Sequence, residues 1–154
     1  MKKNINYFGF PGMQNVEWSD KIDLWELSRV RTKECLDIVR DVICEHYEIT
    51  SKNFHSSERF EPFPAARQVF CWIVRIELFS HIYLRVIGEY IGINPISKKS
   101  YDHTTVVHGI NQVKNMLFTG EITQQCIDNI TELSRIKFAK LWGLYQYQKK
   151  QIKL

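Results

Sequence analysis

The sequence predicts an all-α domain, and three observations carry the prediction. Apolar residues return at i, i+3, i+4, i+7 spacing along several segments. No stretch keeps the alternation of a half-buried strand. The segments are parted by short connections bearing Gly, Pro, Ser and Asn. With 154 residues, 44% of them hydrophobic, the chain is long enough for one packed core and too apolar to stay disordered.

Residues 1–18 contain Gly9, Pro11 and Gly12 without any period and are expected to form an irregular arm. A helical pattern begins at Ser19 and places Ile22, Trp25 and Val30 among charged neighbours up to about residue 31. The stretch 33–48 is the clearest amphipathic helix, with Cys35, Ile38, Val39, Val42, Ile43, His46 and Tyr47 along one stripe. Residues 49–64 read as a loop ending in Pro62-Phe63-Pro64. Residues 65–80 then carry apolar groups almost all round, including Val69, Phe70, Trp72, Ile73, Val74 and Phe79, as a buried central helix does.

A short helix is expected at 82–91, closed by Gly92 and Pro95. Another spans 102–118, with Val106, Ile110, Val113 and Leu117 on one face. The last runs from about 121 to 145 through Ile122, Ile127, Ile130, Leu133 and Leu141. The chain thus divides into an arm (1–18), a helical domain (19–134) and a basic helical extension (135–154).

The net charge of +4 is unevenly spread. Arg135, Lys137, Lys140, Lys149, Lys150 and Lys153 follow Glu132 with no acid among them, which leaves 15 bases against 17 acids in residues 1–134. Net charge therefore says nothing about what the main body binds. The four cysteines, Cys35, Cys44, Cys71 and Cys126, form no C-x-x-C pair and have no histidine at zinc-ligand spacing, so buried reduced thiols are expected and no metal. No apolar run approaches the roughly 18 residues of a membrane span, and no apolar segment follows Lys2-Lys3 as in a signal peptide. A cytoplasmic protein is the expectation.

The helix beginning at Asp102 carries the chemistry. Opposite its apolar stripe stand Thr104, His108, Asn111 and Asn115, with Thr105 and Gln112 beside them. A solvent face rich in Lys and Glu would be ordinary; this one holds neutral hydrogen-bonding groups of the kind that read base edges. Asp102, His103, Thr104 and Thr105 occupy a first turn whose free N–H groups favour a phosphate. A capped helix with a polar exterior accounts for the same residues, with Asp102 or Ser100 as the cap. The helix at 82–91 before it supplies the order of a helix-turn-helix, although 92–100 is longer than the usual turn.

Tyr101-Asp102-His103-Thr104-Thr105-Val106-Val107-His108 resembles the Arg-Asp-His-Thr-Thr-Val-x-His string of the C-terminal DNA-binding domain of DnaA-type bacterial replication initiators. Ala66-Arg67-Gln68 is similar to that family's Pro-Arg-Gln, and Leu84-Arg85-Val86-Ile87-Gly88 to its Leu-Pro-Glu-Ile-Gly. The likeness follows the family's helix order from about 34 to 134. It implies a Trp-repressor-like helical fold that binds a short duplex site. It also implies that Asp102, His103, Thr104 and Thr105 face bases or phosphates in the major groove, with Arg67 and Gln68 contacting DNA from the start of the buried helix.

Three departures accompany the likeness. Tyr101 stands where the family has Arg. The family's basic loop is Ser51 to Arg59 here, with Lys52 offset by Glu58 and the nearby Glu61. The turn carries an insertion, Ile93 to Ser100, whose Lys98 and Lys99 are expected to supply phosphate contacts. No G-x-x-x-x-G-K-[ST] string occurs, so no ATPase module, nucleotide or other cofactor is expected.

In the extension, Phe138, Leu141, Trp142 and Tyr145 share a stripe, as expected of a helix packing on the body. A phosphate-gripping or dimerising tail is the functional alternative, and both terminal extensions are candidate sites for a protein partner or a second copy. The sequence-based expectation is a sequence-specific duplex-DNA-binding protein in replication or transcription control. The alternative is a protein-interaction module that kept the fold and lost its DNA-reading surface. No enzyme is expected, because no nucleophile elbow, phosphate loop or metal spacing accompanies the five histidines.

Overall fold

The computed structural model describes residues 22–94 and 96–152. The arm expected at 1–18, and the start of the helix expected from Ser19, lie outside these residues. Among the described residues there is no strand, only an isolated bridge between Ile93 and Ser100.

Helix α1 (Leu24–Val30) starts at Asp23, whose side chain accepts from the Glu26 amide at 3.0 Å. The non-helical Arg31 separates it from α2 (Thr32–Tyr47), which buries Cys35, Leu36, Val39, Val42, Ile43 and Cys44. The expected loop at 49–64 holds a short helix, α3 (Ser51–Phe54), capped by Thr50 Oγ1 on the Asn53 amide at 3.1 Å. Phe54 anchors this turn in the core against Phe70, with ring centroids 5.3 Å apart.

The central helix departs from the expectation of a single helix over 65–80. It runs as α4 (Phe63–Trp72) and then widens into a π-helix (Ile73–Leu78), closed by the Phe79 amide donating to Val74 at 2.7 Å. Ala66, Val69, Phe70, Ile73, Val74 and Phe79 have no exposed surface, because α2, the later helices and the C-terminal helix all pack on this element. An apolar pattern on every side reports that burial but does not distinguish α from π winding.

Helix α5 (Leu84–Ile91) and helix α6 (His103–Thr119) form the helix-turn-helix pair. The residues between them fold into a small hairpin. The Asn94 amide donates to Lys99 at 2.8 Å, the Lys98 amide to Asn94 at 2.9 Å, and the Tyr101 amide to Gly92 at 3.1 Å. Asn94 Oδ1 also accepts from the amides of Ile96 and Ser97, an Asx turn that stiffens the tip. The long connection is therefore ordered, and it brings Tyr101 back to the base of α5.

Gly120, at φ 83°, ends α6, and α7 (Gln124–Ile152) follows as one unbroken helix of 29 residues. The backbone has no break at 134–135, where the sequence suggests a basic extension beginning. Phe138, Ala139 and Leu141 are buried beyond that point, and Phe138 packs on Phe79. Further out, Lys149 pairs with Glu26 at 3.3 Å and Arg31 donates to Gln148 at 2.5 Å, tying the end of α7 to α1 and its C-terminal cap.

Candidate nucleic-acid interface

Helix α6 is held by the buried Val106, Gly109 and Val113, with Ile110, Met116 and Leu117 packed beside them, so its opposite face points outward. Asp102, His103, Thr104 and Thr105 are all exposed, as are Val107, His108 and Asn111. Asp102 is the N-cap: its Oδ1 accepts from the Thr105 amide at 3.1 Å and the Thr105 hydroxyl at 3.3 Å. The Thr105 amide bond, with further hydrogen bonds from Thr104 and Thr105, holds its carboxyl below the usual carboxylate range. Asp102 thus caps the helix, as the capped-helix reading of the sequence expects, and the turn it caps is exposed.

A groove of about 430 Å³ runs beside this turn, lined among others by Arg59, Arg67, Gln68, Tyr101, Thr105 and His108. Four of the residues singled out in the sequence meet there: Arg67, Gln68, Tyr101 and Thr105. They come from α4, from the residue just before the α6 cap, and from α6, so only the tertiary fold brings them together.

Arg67 is not a free cation in this groove. Its Nη1 donates to the carbonyls of Ser56 at 3.1 Å and Phe54 at 3.4 Å, and its Nη2 to that of Glu58 at 2.5 Å. The guanidinium fork staples the loop after α3 to the start of α4. Burial lowers its pKa from the ordinary arginine value, opposed by the nearby Tyr101 and Glu61.

The other singled-out residues lie apart. His103 lines a second groove of about 510 Å³ with Arg75, Tyr83, Leu84 and Arg85. Lys98 and Lys99 are exposed on the hairpin, Lys98 at φ 61°, and Lys52 is exposed on α3. Asp102, Thr104 and these three lysines line neither groove.

Sequence reasoning did not single out Arg59, Asn94, Tyr83 or Arg85 as site residues. Arg59 ends the stretch that stands where the family has its basic loop, and Arg85 replaces a proline of the family string, so both carried a signal in the sequence. Asn94 and Tyr83 carried none, because only the folded hairpin and the α5 start give them a place.

The pair α5–α6, with an exposed polar turn at the start of α6 and grooves beside it, defines a helix-turn-helix protein. The family model described as the bacterial dnaA protein helix-turn-helix matches residues 36–113, and the chain belongs to that family of DNA-binding helix-turn-helix domains. Over 115 residues it is 28% identical to the chromosomal replication initiator protein DnaA of Thermoanaerobacter sp. (strain X514). It is equally similar to that of Thermoanaerobacter pseudethanolicus (strain ATCC 33223 / 39E). Each alignment covers 74% of this chain and 23% of the relative, so the chain spans about a quarter of the length of the curated relatives it matches. No solved structure matches it. Among the described residues, no helix is long and apolar enough to cross a membrane, and no group of three or more His, Cys, Asp and Glu is placed to hold a metal ion.

Proposed function

We propose that this chain binds duplex DNA sequence-specifically, with the first turn of α6 in the major groove, and acts in replication or transcription control. The observation that carries the reading is the exposed Asp102–Thr105 turn beside a groove that gathers Arg59, Gln68, Tyr101 and His108. In this reading His103, Thr104 and Thr105 meet base edges or phosphates, and Gln68 and Tyr101 contact the duplex from the groove. Asp102 and Arg67 act chiefly by holding the turn and the neighbouring loop in place. Lys52, Lys98 and Lys99 grip phosphates. The likeness to replication initiators supports a role at a replication origin or a related regulatory site.

Random-site selection at low salt should return one short motif. His103→Ala combined with Thr105→Ala should abolish that preference while the protein keeps its melting temperature. Equal binding by the double variant would show that another surface reads the DNA. Removing a lysine that contacts a phosphate, Lys98 or Lys99, should lower the slope of log K against log salt by about 0.9.

A second reading has a specific support. Two of the polar side chains suited to DNA readout, Asp102 and Arg67, are committed to internal hydrogen bonds, as in a protein-interaction module that kept the fold. Stable capture of a protein partner by a chain with no salt-dependent duplex affinity would favour it.

A further inference from the structure

The second groove is built from different residues than the first. At about 100° per residue, His103 stands about 200° round α6 from Thr105 and about 140° from His108, so it leaves the helix on the side away from the first groove. It meets Tyr83 and Arg85 from the start of α5 and Arg75 from the π-helix, around a space of about 510 Å³. No carboxylate lines this groove.

Its cations have different tasks. Arg75 donates to the carbonyls of Ser80 and, at 2.8 Å, Ile82, so it builds the wall and fixes the approach to α5. Arg85 is turned to solvent, with 75% of its side-chain surface exposed, and its ion pair with Glu89 is loose at 3.7 Å. Tyr83 beside it is also 75% exposed, and no side chain caps the start of α5. A guanidinium fork, a phenol hydroxyl and an imidazole around one open space are donors looking for a tetrahedral oxyanion.

We infer that this groove is a phosphate subsite for duplex DNA, in which Arg85 and Tyr83 hold a backbone phosphodiester on the side of α6 opposite the first groove. The inference rests on the proposed function and adds to it: the recognition helix is gripped from both flanks, one strand on each. It also accounts for a paired departure from the family string. A cation is missing at Tyr101, which faces the first groove, and one is present at Arg85, where that string has proline.

The test compares the parent chain with Arg85→Ala, Arg85→Lys and Tyr83→Phe on the duplex returned by selection. Both sites are exposed, and thermal melting checks that all three variants fold. Arg85→Ala should lower the salt slope by about 0.9 and weaken every duplex by the same factor, leaving the ranking of sites intact. Arg85→Lys should restore the slope but only part of the affinity, and Tyr83→Phe should cost affinity without changing the slope. One methylphosphonate position in the duplex should weaken the parent and leave Arg85→Ala unaffected.

An unchanged slope in Arg85→Ala, with no methylphosphonate position silenced by it, overturns the inference while the parent's duplex binding stands. A parent with no salt-dependent duplex binding takes the proposed function down with it. Inorganic phosphate offers the same oxygens without the duplex. If it alone shifts the Tyr83 and His103 resonances as fully as the duplex does, the groove is a small-anion site and the inference fails.

Discussion

The carbonyl of Tyr101 lies against Gly88 so closely that a Cβ built on the glycine would stand 2.2 Å from the oxygen and 2.9 Å from the carbon. Both atoms are backbone, so no side-chain rotation relieves the clash. This contact sets how α5 meets the residues that lead into α6, and thus where the exposed first turn of α6 points. Gly88→Ala should cost about 1–3 kcal/mol in urea unfolding, and the folded fraction should bind DNA more weakly because α6 is displaced. Gly109→Ala is the matched control. Its Cβ would meet Cys71 Sγ at 3.5 Å, an ordinary contact, so stability should hold or rise by up to about 1 kcal/mol.

Arg67 holds the loop after α3 through three carbonyls, and that work is separate from any contact with DNA. Arg67→Ala should destabilise the chain by about 1–3 kcal/mol with no DNA present, because the loop loses three charge-assisted hydrogen bonds. Arg67→Lys should recover little of that loss, since the three donors of an ammonium leave one nitrogen and cannot span the carbonyls that Nη1 and Nη2 reach from opposite arms of the fork. Amide exchange should report the same change locally, as faster exchange at residues 55–60. Undiminished stability in Arg67→Ala would show that the staple is incidental and would return Arg67 to a role in direct readout.

The parts of this fold legible in the sequence are those written in local periodicity. Val39, Val42 and Ile43 announce α2, and Val106 and Val113, seven residues and two turns apart, mark the buried face of α6. The capped first turn of α6 was legible because Asp102 is a good cap and opens a specific string. What was not legible depends on distant neighbours. Nothing local tells Arg67 that its partners are the carbonyls of residues 54–58, and nothing in the run of apolar residues 73–78 distinguishes a π turn from an α turn. The hairpin at 93–100 depends on Asn94 folding back on its own backbone, which a reading of insertion length misses. The second groove needed α5, the π-helix and α6 to be in place before Tyr83, Arg85 and His103 became neighbours.

His81 ties α1 to the segment that leads into α5. Its Nε2 lies 2.6 Å from the hydroxyl of the buried Ser28, and its ring lies beside Trp25, both on α1. Burial, with Arg75 nearby, lowers its pKa from the ordinary histidine value. A histidine with a depressed folded pKa takes up its proton more readily when unfolded, so its contribution is fully present above the unfolded value of about 6.5. Stability should fall as pH drops through that value towards the folded one, and His81→Gln should flatten this part of the curve. A melting profile between pH 8 and pH 5 that is the same in parent and variant would remove His81 from the account.

The division between a body and a basic extension after residue 134 meets its test at Phe138. This ring has no exposed surface and lies 5.3 Å, centroid to centroid, from Phe79, itself fully buried at the end of the π-helix. Leu141 is buried one turn further on and Trp142 and Tyr145 pack beside it, whereas the pairs of Lys149 with Glu26 and Arg31 with Gln148 lie near the surface. Hydrophobic burial outweighs such surface pairs, which contribute about 0–1 kcal/mol each. Removing 146–154 should therefore lower stability only slightly while reducing duplex affinity through the loss of Lys149, Lys150 and Lys153. Phe138→Ala should cost about 3–5 kcal/mol, and truncation after 134 should leave no cooperative unfolding transition. A truncated chain that melts cooperatively near the parent temperature would show that residues 135–154 are separable after all. Failure to fold would place the domain's end near Leu141, inside the stretch that charge alone marks as a tail.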